Sequence, residues 1–268
     1  MITDLVRDIG GDSVRVQGLM GSGVDPHLYK ASEGDVTKLT TADVVFYNGL
    51  HLEGKLEDVF ERMGGRTTTV ALAQALSENE LIGSENFASN YDPHVWFDLT
   101  YWKKMARYLT EELSRLDPEA APYYQENRDR YLKELDQLAD ELTNTIEVLP
   151  EEKRVLITAH DAFNYFGRQF GFEVIGLQGL STATEAGVRD VQDLARTIID
   201  KQVKAIFIES SVPRRTIEAL QAAVKAEGFD VQIGGTLYSD ALGDAGTEEG
   251  TYAGMYRHNV NTIVNALK

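Results

Sequence analysis

Apolar and polar positions along the chain switch repeatedly between a helical period and short continuous runs. Met1, Ile2, Leu5, Val6 and Ile9 recur at helical spacing, and Gly10-Gly11 ends that helix. Val14-Arg15-Val16 alternates as a short strand would, and Leu19 to Val24 is a glycine-rich loop. Ala42–Tyr47 is a continuous apolar run of buried-strand type, and Val70–Leu72 is a shorter one. The second half repeats the plan. Arg154–Thr158, Glu173–Gly176, Ala205–Ile208 and Val231–Ile233 are β-branched runs separated by helical patterns, of which Val188–Gln202 is the clearest. Alternating strand and helix implies parallel βαβ units. Between the halves, Pro118 and Pro150 enclose one long amphipathic pattern. There Tyr124, Tyr131, Leu135, Leu138, Leu142 and Ile146 fall three, four or seven apart. The reading is an α/β protein of two βα lobes with parallel sheets joined by one long rigid helix. The first lobe spans 1–117, the linking helix 118–150 and the second lobe 151–268.

Length and composition narrow the function classes. A chain of 268 residues can build two lobes, each with its own core. Its 43 acidic residues against 26 basic ones give a net charge of −17, which repels phosphate backbones and attracts cations. Nucleic acid is therefore not an expected partner. Without cysteine there are no disulfides and no thiolate metal sites, so His, Asp and Glu are the available ligands. No run of 18 or more apolar residues is present to span a membrane. The segment Met1–Val6 has neither the basic nor the apolar region of a signal peptide, so the reading for an exported protein is a processed or trimmed form.

The candidate chemistry lies in a tripeptide used twice. Of six prolines and five histidines, two of each fall in Asp25-Pro26-His27 and Asp92-Pro93-His94. Proline fixes its own φ and pushes the preceding residue to an extended conformation, so the histidine is presented from a stiff turn. Two further stretches follow strands of the second half: Thr158–Phe163, with His160, and Gly234–Asp240. Loops at the C-terminal ends of parallel strands form the ligand crevice of open α/β sheets, so two candidates from each lobe are expected to converge in the cleft between the lobes. Three imidazoles and one carboxylate suit Zn²⁺ or Mn²⁺, and Fe²⁺ less well. The same ligand set is also compatible with a zinc metallohydrolase, although no His-Glu-x-x-His helix is present. Asp244 stands close enough to Asp240 to offer an alternative carboxylate.

Several segments together carry a family resemblance. They are Gly23–Tyr29 (GVDPHLY), Tyr47–Glu53 (YNGLHLE), Asp92–Phe97 (DPHVWF), Thr158–Phe166 (TAHDAFNYF), Phe207–Ser210 (FIES) and Leu237–Gly243 (LYSDALG). The chain resembles, over essentially its whole length, the zinc- and manganese-binding solute receptors of ABC importers. The resemblance implies four metal ligands, His27, His94, His160 and Asp240, with Asp240 favoured over Asp244. It implies a metal site between two lobes joined by one long helix, and an ABC permease as membrane partner. It further implies an extracytoplasmic location, in a periplasm or lipid-anchored, no enzymatic activity and a monomeric state. Family members begin with a β-strand ahead of the helix at Met1, so the first-lobe sheet is expected to be one strand short in this chain. Zinc-specialised members carry a histidine-rich acidic loop in the region of Ser77–Asn90. Here it has Glu78, Glu80 and Glu85 but no histidine, which favours the manganese-or-zinc branch. A histidine at 160, where several manganese receptors have Glu, keeps zinc in view.

Four other residues stand near these motifs. His51, just after an apolar strand, reads as structural or as part of a helix start. His258 reads as exposed on a surface helix. Glu209 ends a strand, either orienting a ligand imidazole or capping the next turn. Glu185 belongs to a cleft mouth or a docking surface.

Overall fold

The computed structural model describes residues 1–62, 67–85 and 87–268, and among them the chain divides into two compact units. The first comprises Met1–Gly21 and Pro26–Ala139, the second Ser22–Asp25 and Asp140–Lys268. Both are α/β with parallel strand pairs, in agreement with the alternating sequence pattern.

In the first unit, α1 (Ile2–Gly10) buries Leu5, Val6 and Ile9 and packs on α4 (Leu99–Leu116). It ends at Gly11, whose φ of 50° is in the left-handed region. Helix α2 (Glu33–Thr41) opens with a reciprocal cap. Asp35 N–H donates to Ser32 Oγ at 3.2 Å, and Ser32 N–H donates to Asp35 Oδ2 at 3.0 Å. Strand β1 (Val44–Tyr47) is followed by α3 (Gly54–Arg62) and then β2 (Thr68–Ala71), which pairs with β1 in parallel with Val44 opposite Thr68. Two expectations are corrected here. The apolar run at Val44–Tyr47 is only partly buried, and Val14–Val16 forms no strand, although its inside-outside alternation is real. Alternation orients side chains, but a strand also needs a partner for its backbone groups. Apart from Asn86, which lies outside the described residues, Ser77–Asn90 is a loop of exposed and partly buried residues with one short helical turn at Glu78–Glu80. Tyr101 Oη donates to the carbonyl of Glu80 at 2.7 Å, and Lys104 is ion-paired to its carboxylate. Helix α4 starts at Asp98, whose carboxylate accepts the N–H of Thr100 at 2.9 Å.

Helix α5 (Ala121–Glu147) has 27 residues, about 40 Å at 1.5 Å per residue. The boundary between the units falls within it, after Ala139. All six apolar positions of the long sequence pattern are buried: Tyr124, Tyr131, Leu135, Leu138, Leu142 and Ile146.

In the second unit β3 (Val155–His160) is followed by α6 (Asn164–Phe170), which ends at Gly171 with φ 72°. Strand β4 (Glu173–Gln178) pairs in parallel with β3, Leu156 lying opposite Val174. Then come α7 (Val188–Asp200), β5 (Ala205–Glu209), α8 (Arg215–Ala226) and β6 (Gln232–Leu237), with β5 and β6 parallel and β3 adjoining β5. Ile157, Ile198, Ile206, Ile217, Leu220 and Val224 form the centre of the core beneath α7 and α8. The last helix, α9 (Tyr252–Leu267), packs on β6.

Two boundaries differ from the sequence reading. His160 is the last residue of β3 rather than part of a stretch that follows the strand, and Gly234-Gly235 lies inside β6, where the β5 ladder shifts register between Ile206 and Phe207. Paired glycines signal a loop in sequence, but in a strand they also permit close approach of a neighbour. A side chain on Gly234 would meet Phe207 and Ala266.

Asn259 on α9 is buried and grips the chain just beyond β6, accepting from Tyr238 N–H at 2.9 Å and donating to its carbonyl at 2.8 Å. Asn259→Ala removes both bonds and is expected to destabilise the protein by about 1–3 kcal/mol. The expected signature in urea denaturation is a lower midpoint with an unchanged slope, and an unchanged midpoint overturns this role for Asn259.

Candidate metal centre

In the first unit the histidines that end the two Asp-Pro-His segments, His27 and His94, come together. The rings of His27 and His94 lie 5.4 Å apart between centroids, edge to face at 61°. Both histidines are buried, His94 completely. The turn before His94 does more than stiffen the backbone. Asp92, also completely buried, accepts the backbone N–H of His94 at 2.9 Å and contacts its Nδ1 at 2.7 Å, through the same carboxylate oxygen. An ionised carboxylate only accepts, so Nδ1 carries the proton and Nε2 keeps a lone pair for a metal.

In the second unit the same device recurs across strands. His160 ends β3, Glu209 ends the adjoining β5, and both are buried. Glu209 Oε1 accepts the backbone N–H of His160 at 2.8 Å, and Oε2 lies 2.6 Å from its Nδ1. Asp240, three residues beyond β6, approaches the other ring nitrogen, with Oδ2 3.2 Å from His160 Nε2. Ser211 Oγ donates to the same oxygen at 3.4 Å. Burial opposes charge on the His160 ring, but the carboxylates of Glu209 and Asp240 outweigh it and hold the pKa well above the usual histidine range. Without a metal, the two carboxylates favour the protonated ring. A cation taking the place of the Nε2 proton would meet a nitrogen and a carboxylate oxygen already side by side.

The close packing at His160 depends on one glycine. Gly176 of β4 faces the end of β3, and a Cβ there would lie 2.5 Å from the amide nitrogen of Asp161. Gly176 N–H instead donates to Asp161 Oδ1 at 2.6 Å.

The other residues noted in sequence take separate places. Asp244 is exposed and bonded to the Ser22 hydroxyl. Glu185 is exposed beside Arg215, 3.6 Å away. His258 is partly exposed on α9, its Nε2 2.9 Å from the carbonyl oxygen of Thr236. Glu209 takes the orienting role that the sequence left open beside a cap. His51 precedes α3 by three residues with φ 62°, and its ring meets Phe87 at 6.1 Å.

Sequence reasoning missed Asn48 and Glu53. Both are buried. Glu53 accepts from the N–H groups of Asn48 at 2.8 Å and Gly49 at 3.2 Å, through its two oxygens. Between them Gly49, Leu50 and His51 run consecutively through the left-handed region, at φ 86°, 54° and 62°. Each non-glycine residue held there costs about 1–2 kcal/mol. Asn48 Nδ2 donates to the carbonyl of Pro93 at 2.9 Å, directly before His94. A buried-type strand ending in Asn, with Glu five residues on, was the available signal.

Comparison with known proteins agrees with this chemistry. The family model described as zinc-uptake complex component A, periplasmic, matches residues 1–266. The manganese-binding lipoprotein MntA of Bacillus subtilis is 49% identical over 267 residues, covering 100% of this chain and 87% of its own length. The solved structure of the periplasmic zinc-binding protein TroA from Treponema pallidum is 48% identical with a TM-score of 0.97, covering 100% of this chain and 96% of that one. An Fe(III)-bound YtgA from Chlamydia trachomatis superimposes with a TM-score of 0.89 at 27% identity, over 99% of this chain and 94% of that one. None of these comparisons supports the hydrolase alternative. The chain belongs to the zinc-uptake complex component A family, whose members are metal-binding receptors of ABC transporters and not enzymes.

Proposed function

We propose that this protein is an extracytoplasmic receptor that captures Zn²⁺ or Mn²⁺ and delivers it to an ABC permease, and that His27, His94, His160 and Asp240 are the ligands of one ion. The observation that carries the reading is the paired construction of the histidines. His94 and His160 each have a buried carboxylate on Nδ1, the arrangement that turns an imidazole into an oriented Nε2 donor. Three nitrogens and one oxygen suit Zn²⁺ and Mn²⁺, with Fe²⁺ less favoured, and the relatives named for manganese and zinc support both. Residues 1–117 and 151–268 act in this reading as the two metal-binding lobes, with 118–150 as their link. The receptor works as a monomer and has no nucleic-acid partner, as the net charge of −17 favours.

Metal that binds only the folded protein raises its stability by mass action, about 4 kcal/mol at a thousandfold excess over Kd. His94→Ala and Asp240→Ala are each expected to lose most of the metal-dependent rise in melting temperature, measured by calorimetry with and without Zn²⁺. A variant that keeps the full rise removes its residue from the ligand set.

Protons compete with the metal for the same nitrogens. Because the His160 pKa is raised, affinity is expected to fall already as pH drops from above about 6.5. The metal-free protein behaves in the opposite sense. The stabilisation from the protonated ring is fully present below about 6.5 and is lost as pH rises through the raised value. Isothermal titration of Zn²⁺ across this range, with metal-free melting temperatures alongside, checks both signs. An affinity independent of pH contradicts the histidine-based site.

A further inference from the structure

The strained turn between β1 and α3 has no use in joining the two elements alone. One glycine in the left-handed region suffices to reverse a chain after a strand, yet here Leu50 and His51 follow Gly49 into that region. Gly49 itself is packed so closely that a Cβ would lie 2.9 Å from that of Ala71. Strain of this kind persists where surrounding bonds over-determine it, and it gathers where geometry serves a function. The bonds that impose it come from Glu53, and the contacts it sets up run in two directions. Asn48 is turned so that its amide donates to Pro93 O, and the His51 ring is set against Phe87 at 6.1 Å and 74°. The same phenylalanine also meets His27, edge to face at 6.4 Å and 86°. His27 and His94 therefore both rest, at one remove, on the same turn.

We infer that the Asn48–Glu53 turn is the positioning element of the first unit's half of the metal site, acting on His94 through Pro93 and on His27 through His51 and Phe87. This rests on the metal-receptor reading above. Asp92 fixes the His94 ring at Nδ1, but Asp92 lies in the same tripeptide and moves with it. The bond from Asn48 to Pro93 ties that tripeptide to the end of β1, so ring and scaffold are registered to each other. Coordination is sensitive to displacements of about 0.5 Å in ligand position, which makes the tie a determinant of affinity rather than of folding alone.

Co²⁺ is the probe for the test, because its visible absorption reports the geometry of its ligands. Full-length Asn48→Ala, Asn48→Asp, Glu53→Gln and Phe87→Ala are compared with the parent and with His94→Ala. Affinity, the Co²⁺ spectrum and the metal-free melting temperature are measured for each. The turn variants are expected to bind at least about tenfold more weakly, the range for groups that orient metal ligands, and to show an altered Co²⁺ spectrum. A purely structural turn would lower the metal-free melting temperature and leave the spectrum of the loaded protein unchanged, and that result overturns the inference. Asn48→Asp keeps the shape and replaces the amide that donates to the carbonyls of Pro93 and Gly49 by a carboxylate that cannot donate, and Phe87→Ala lies on the surface loop, so the comparison survives if Asn48→Ala does not fold. His94→Ala separates the two levels. If it retains full affinity, the site reading fails. If it loses binding while the turn variants keep parental affinity and spectrum, only the positioning role falls.

Discussion

A buried carboxylate gripping the same histidine at two points is the interaction on which the rest of the structure depends. Asp92 holds the backbone N–H and the Nδ1 of His94, and Glu209 holds the backbone N–H and the Nδ1 of His160. A carboxylate removed from water is costly unless it has polar partners, and here each lies against the backbone N–H and ring nitrogen of one histidine. Two contacts to one residue fix its ring direction and its tautomer together. Without them the rings could rotate or flip tautomer in ways that do not suit a metal.

The two units reach this grip by different routes. Asp92 is two residues from His94, so a single proline turn suffices. Glu209 is far from His160 in sequence, and the pairing exists because β3 adjoins β5 and both end at the same level. That requires two strands buried on both faces, a core of Ile157, Ile206 and Leu220 beneath the helices, and a glycine at 176 where β4 meets the strand end. Asp240 follows because β6 pairs with β5 and Asn259 clamps the chain as it leaves the strand. The short polar contacts around His160 thus depend on packing several residues away.

Charge completes the account. A net charge of −17 raises the local concentration of cations around the whole protein, while in the proposed function the buried imidazoles select among them by ligand type. Long-range attraction is unspecific and screened by salt, whereas the buried nitrogens are not. Capture and selection are therefore separate physical tasks in one chain.

Much of this was legible from residue order. The βα alternation, the long amphipathic helix and the stiff Asp-Pro-His turns are local patterns, set by backbone geometry over a few residues. The strand period foretold Val14–Val16 as a strand and missed that no partner stands beside it. The glycine pair at 234 read as a loop and is strand, because its role is to admit Phe207 and Ala266. Asn48 and Glu53 stood in a quoted motif without a role, and Asn259 left no signal, since a buried amide or carboxylate is recognisable only by what it faces. Local sequence determined the stiff turns and the elements that carry the histidines. Tertiary structure alone decided which distant carboxylate meets which ring, because hydrogen bonds between residues remote in the chain exist only once the strands beneath them have packed.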